Sequence, residues 1–197
     1  MRNARLFLAI SGLTIGVASA NATDNHVPGD VAKRAAIHPV SDMTALYGRL
    51  QRVPRTYAFP PDFTSTLTAN APAFVIEMTS TPGCLPCADL WSKLQVLQRQ
   101  YGLRVSILPR QEALVRSGRL GLPWVGHPVT WVRANGDAAR VIPIAIGTDH
   151  GVNLARNIYL AMKMMTGVRP DVGVRAMARF TGIVGPTPAT PSVSRKP

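Results

Sequence analysis

Cysteine is nearly absent from this chain of 197 residues: there are two, Cys84 and Cys87. That excludes a scaffold held together by several disulfides, and a domain of about 120 residues buries a sufficient core without them. Acids are also few, with 10 Asp and Glu against 22 Lys and Arg, a formal charge of +12. Such an excess attracts nucleic acid, anionic lipid or acidic partners, or simply keeps the chain soluble. The basic residues stand mostly as single Arg, with no Lys/Arg block, groove-reading motif or aromatic-basic platform, so no specific nucleic-acid partner is expected. Beyond the N-terminus no apolar run approaches the roughly 18 residues that a membrane-crossing helix needs.

The N-terminus carries its own signal. "MRNARLFLAISGLTIGVASANA" places Arg2 and Arg5 before an apolar run over residues 6–17, then small-residue sites at Ala18-Ser19-Ala20 and Ala20-Asn21-Ala22. This predicts a signal peptide over residues 1–22, with an uncleaved anchor as the alternative. The expected location is the periplasm, where disulfides persist, with no membrane span left after cleavage.

Residues 23–70 read as an N-terminal arm. Within it "SDMTALYGRLQRV" predicts a short helix over 41–52, capped by Ser41, with Met43, Leu46, Tyr47 and Leu50 on one stripe. "VPRTYAFPPDF", with three prolines, reads as a linker. From residue 71 the pattern changes. "AFVIEMTS" is a strand buried on both faces, and a helix over 85–101 carries Cys87, Leu90, Trp91, Leu94 and Leu97 on one stripe, ended by Gly102. "LRVSILP" is a second strand, and residues 110–117 form a helix stopped by Gly118. "VTWVR" and "AARVIPIA" form a hairpin around Asn135-Gly136, with Pro143 confining the second strand to a sheet edge. Thr148 or Asp149 caps a last helix over 150–165, whose inner face is Val152, Ala155, Tyr159 and Met162. Residues 167–197, basic and rich in Pro and Ser, read as a disordered tail.

The expected fold class is therefore α/β: a mixed central sheet with helices on both faces, a helical N-terminal arm and a basic tail. The cysteines sit in "TSTPGCLPCADLWSKL", at the junction of the first strand and its helix. Three chemistries are open to them. A structural staple is weak because so small a loop removes little chain entropy. A zinc site needs further ligands from His26, His38, His127 and His150. A redox pair fits an exposed sulfur at the helix N-cap, where free N–H groups and the helix dipole favour a thiolate, beside a shielded one on the apolar stripe.

With these motifs in this order, residues 71–166 resemble a thioredoxin-like domain. The likeness rests on "CLPC" after a buried strand, on "GHPVTWV" with Pro128 in the place of the family's cis-proline, on the Asn135-Gly136 hairpin and on Gly147 before the last helix. It implies a thiol–disulfide oxidoreductase that needs no cofactor and no metal, in which Cys84 attacks and Cys87 resolves. Exported cysteine-containing proteins and a redox partner protein would be its partners.

Three positions depart from the family. "TPG" replaces the tryptophan usual before the motif, Met78 and not an acid lies six before Cys84, and His127 precedes Pro128. His127 would face the sulfurs, where a protonated imidazole favours the Cys84 thiolate, or be an exposed loop residue. Glu77 would relay a proton under Cys87 or meet solvent. Trp124 would join a docking surface or the core. A second expectation, from a different class, is an accessory subunit of an envelope secretion or conjugative-transfer apparatus, with redox chemistry secondary.

Overall fold

The computed structural model describes residues 37–119, 126–169 and 176–186. The leader, most of the tail and Trp124 lie outside the described residues. The chain order is β1 (His38–Pro39), α1 (Met43–Leu50), α2 (Phe63–Asn70), β2 (Phe74–Met78), α3 (Leu85–Tyr101), β3 (Arg104–Ile107), α4 (Arg110–Arg119), β4 (Val129–Ala134), β5 (Val141–Ile146), α5 (Gly151–Thr166) and β6 (Ile183–Val184).

The central sheet runs β3-β2-β4-β5, with β2 and β3 parallel and the other two pairs antiparallel. This is the expected mixed sheet, and Pro143 lies on the edge strand β5. Strand alternation divides the sheet into two faces. Phe74, Ile76 and Met78 stand opposite Ala134, Val132 and Thr130, and Val75 and Glu77 stand opposite Arg133 and Trp131. Of the first set, Phe74, Ile76, Met78, Val132 and Ala134 join the main core with Leu90 and Leu94 of α3 and Leu154 and Ile158 of α5. These four helical side chains are fully buried, each contributing about 2 kcal/mol through apolar burial. On the opposite face Trp131 packs with Val129, Leu108 and Ala113 of α4.

Several expectations are corrected. The N-terminal arm contains a second helix, α2, which begins at the last residue of the stretch read as a linker and was hidden because Thr, Ser and Asn dilute its apolar signal to Phe63 and Leu67. Asp62 anchors this helix to α5: its carboxylate accepts from Tyr159 Oη at 2.8 Å and pairs with Lys163 Nζ at 2.5 Å. The Lys163 hydrogen bond is the largest cause holding the Asp62 pKa below its ordinary value. The preceding segment is tacked down by Asn153, which accepts from Thr56 N–H and Oγ1 and donates to the Pro54 carbonyl. Pro72 lies in a 3-10 turn over Ala71–Ala73, which delays the first strand of the sheet to Phe74.

Asp42, not Ser41, caps α1, its carboxylate accepting from Ala45 N–H at 2.8 Å. Only Leu46 and Leu50 of the expected stripe are buried there, and Met43 and Tyr47 are exposed. Gly118 does not stop α4, which continues to Arg119. His150 is the N-cap of α5, without a side-chain capping bond, and Val152 faces outward at 38% exposure.

The largest correction concerns the tail. Residues 176–186 return to the domain, and β6 pairs in parallel with β1, His38 opposite Ile183 and Pro39 opposite Val184. Ile183 packs with Val40, Leu46 and Leu50, giving α1 its partner. A pair of two-residue strands lies below what sequence periodicity resolves.

Candidate functional site

The loop after β2 turns at Gly83 and delivers Cys84 to the N-cap of α3, as expected from the sequence. Cys84 and Cys87 form a disulfide. Pro86 occupies the first turn, where its missing N–H leaves no bond unmade. The Cys87 N–H is shared between Cys84 Sγ at 3.2 Å and the Cys84 carbonyl at 3.1 Å, so a backbone donor of the helix start already serves that sulfur. Cys87, 2% exposed, lies in the main core beneath.

Opposite the sulfurs is the turn that leads into β4. The His127-Pro128 peptide is cis, in the place the sequence marked for it. The His127 carbonyl oxygen is 3.9 Å from Cys84 Sγ, and the Pro128 carbonyl accepts from Gly147 N–H at 2.8 Å. Thr79 Oγ1 accepts from Val129 N–H at 2.9 Å and fixes this turn to the end of β2. Cys84, Cys87, His127 and Pro128 thus form one constellation, as the sequence suggested.

The environment of His127 differs from both sequence expectations. The side chain is 9% exposed, and burial first, then the charge of Arg110, lowers its pKa. Both effects favour the neutral imidazole, so neither works toward a positive charge that would stabilise a thiolate. Glu77 also corrects both of its expectations. It neither meets solvent nor lies under Cys87, because it sits at 5% exposure on the sheet face toward α4. There it pairs with Arg116, and with Arg133 Nε at 2.8 Å, and Arg116 extends to Glu112 at 2.9 Å. The Arg116 guanidinium lies 5.6 Å from the Trp131 ring centre.

A depression of about 410 Å³ opens beside the pair, lined by Thr81, Gly83, Cys84, Cys87, Trp91 and Ile107. A larger groove of about 720 Å³, with Phe59, Phe63 and Tyr101 beside Arg55 and Lys93, contains neither sulfur. Among the described residues no three His, Cys, Asp or Glu side chains group as metal ligands, and no helix is long and apolar enough to cross a membrane.

What sequence reasoning missed is the cover over Cys84. Cys84 was expected to be exposed, and it is 8% exposed, because Gly185 lies against it. The Gly185 N–H donates to the His127 carbonyl at 2.8 Å. The signal available was "GIVG" at 182–185, two strand-forming residues between glycines within a polar tail.

The site is defined by a disulfide-linked Cys-x-x-Cys pair at a helix N-terminus, set in a mixed α/β fold. Comparison with protein-family models, with curated proteins and with solved structures gives no match.

Proposed function

We propose that this chain is an exported thiol–disulfide oxidoreductase of the thioredoxin-like class, working in the periplasm on cysteine-containing proteins. The observation that carries the proposal is the asymmetry of the two sulfurs. Cys84 holds the N-cap of a 17-residue helix with a backbone N–H at 3.2 Å, and Cys87, 2% exposed against 8% for Cys84, sits one turn further along that helix. In the reduced pair the helix start favours the Cys84 thiolate, which makes it the attacking and the leaving sulfur.

The exchange follows from that asymmetry. The Cys84 thiolate attacks a substrate disulfide, one substrate sulfur leaves as a thiolate, and a mixed disulfide joins Cys84 to the other. Cys87, deprotonated, then attacks Cys84 Sγ. The Cys84–Cys87 bond forms, the second substrate thiolate departs, and two protons finish on the substrate thiols. Run backward, the same steps oxidise a substrate dithiol and leave the pair reduced.

The test is trapping. Cys87→Ser, expressed in cells with its leader, is expected to retain partner proteins covalently through Cys84, and Cys84→Ser to retain none. Equal recovery with both variants would refute exchange through Cys84.

The cover over Cys84 favours a second reading, an accessory subunit of an envelope secretion or conjugative-transfer apparatus. Cells carrying Cys84→Ser would then keep the cellular function intact.

A further inference from the structure

A cavity of about 230 Å³ opens where the N-terminal arm meets the returning C-terminal segment, and neither sulfur lines it. Val53 and Ile183 line it together with His38 and three arginines, Arg49, Arg52 and Arg179. The basic residues reach it from separate places. His38 belongs to β1, Arg49 to the last turn of α1, Arg52 to the turn that follows, and Arg179 to the segment leading into β6. Backbone bonds fix the meeting. Arg52 N–H donates to the Arg49 carbonyl at 3.0 Å, and His38 N–H donates to the Gly182 carbonyl at 2.7 Å. Beside Arg179, Ala178 N–H donates to Asn157 Oδ1 of α5 at 2.7 Å. Tertiary structure, and not a local run of basic residues, therefore brings the guanidinium groups to one place.

Nothing on the protein answers their charge. Among the described residues no carboxylate lines the cavity, and none of the three arginine side chains has an ion pair or a hydrogen bond. Elsewhere in the domain arginines find partners: Arg116 and Arg133 pair with Glu77, and Arg140 and Arg156 donate to backbone carbonyls. The C-terminal turn of α1 favours a cation, which accounts for Arg49 and for neither of the others. His38 registers the crowding, because after burial the charges of Arg49 and Arg52 are the causes that lower its pKa. Like charges around one small cavity repel one another, and a bound anion replaces that repulsion with attraction.

The class of anion follows from size and geometry. Drug-sized molecules fill about 300–1,000 Å³, so this cavity suits one polar group with some water. Guanidinium forks match pairs of oxygens. A phosphomonoester carries a charge of about −1.5 to −2 on three terminal oxygens, more of both than a carboxylate offers.

We propose that Arg49, Arg52 and Arg179, with His38, form a binding site for a terminal phosphate group, carried by a soluble phosphate or by a lipid headgroup. The site is independent of the exchange chemistry proposed above. Phosphate bound there ties the end of α1 to the segment that continues over Cys84.

The test uses the whole chain at constant ionic strength set with sodium chloride. The His38 ring-proton resonances, assigned with His38→Gln, are expected to shift saturably as inorganic phosphate is added. The His38 pKa is expected to rise, since a nearby anion favours the imidazolium. Arg52→Gln and Arg179→Gln are each expected to weaken binding at least about tenfold, the loss of one charge-assisted hydrogen-bonded pair. Arg99→Gln, which removes an exposed charge from α3, is expected to change it less than about twofold.

The second arm measures sedimentation with phosphatidylcholine vesicles, with and without phosphatidic acid. Binding of inorganic phosphate without retention on the vesicles assigns a soluble ligand. Retention that requires phosphatidic acid, Arg52 and Arg179 assigns the lipid headgroup, whether or not free phosphate also binds. Absence of binding in both arms overturns the inference. So do equal losses in Arg52→Gln, Arg179→Gln and Arg99→Gln, which would reduce the effect to net charge.

Discussion

The two faces of the central sheet are built from alternate residues of the same strands and solve burial differently. Toward α3 and α5 the strands offer Phe74, Ile76 and Met78, and nothing charged from β2 enters that core. Toward α4 the same strand offers Glu77, buried between Arg116 and Arg133. The sulfurs belong to the apolar face, and the one buried acid of β2 belongs to the other. Glu77 holds α4 on the sheet and takes no part at the sulfurs, although it lies seven residues from Cys84.

Deleting the acid breaks the comparison most severely. Glu77→Ala leaves Arg116, 7% exposed, with Glu112 as its one acidic partner among the described residues, and is expected to cost about 4 kcal/mol in denaturant unfolding. Alkylation of reduced Cys84 in the folded fraction should be unchanged. A change in that rate of tenfold or more would place Glu77 at the site after all.

On the other face Leu90→Ala removes a fully buried side chain from the core that supports the α3 N-terminus. About 3 kcal/mol is expected, measured the same way. Here the sulfurs should respond, with Cys87 becoming faster to alkylate as its cover loosens.

Reducing the disulfide is expected to matter less, at most about 2 kcal/mol, since the closed loop is short. Unfolding midpoints with and without a phosphine reductant give this value. A larger loss would make the pair a staple and weaken the redox proposal.

The smallest effect is with pH. His127 and His38 both have lowered pKa values, burial being the largest cause for each. As pH falls below the ordinary histidine value of 6.5 the unfolded chain binds these protons before the folded one, so stability falls with acidification and levels off below the folded pKa. Asp149 has the opposite sign. Burial raises its pKa, so its contribution is lost as pH rises from 3.8 through the folded value. Denaturation at several pH values, with His127→Gln expected to flatten the slope near pH 6, checks this.

Much of the sheet was legible because each strand and long helix carries a local pattern. The stripe of α3 from Cys87 to Leu97, the Asn135-Gly136 turn and the edge position implied by Pro143 all express near-neighbour chemistry. Helix α2 was not legible, because its stability comes from Asp62 reaching Tyr159 and Lys163, nearly a hundred residues on. The site was legible in the same uneven way. Cys84 at the N-cap and Pro128 in its turn follow from local sequence. The facing of Glu77 was not, since a one-residue change in strand phase reverses it. The lowered pKa of His127 comes from burial in the folded chain and from the charge of Arg110.

Sequence alone determined that one sulfur starts a helix and the other enters its apolar stripe, because both facts follow from spacing along a single helix. Only the tertiary structure decided that residues 183–185 return to lie against that first sulfur. Their bonds reach β1, the β5 end and His127, partners far away in the chain, and no local pattern records so distant a pairing.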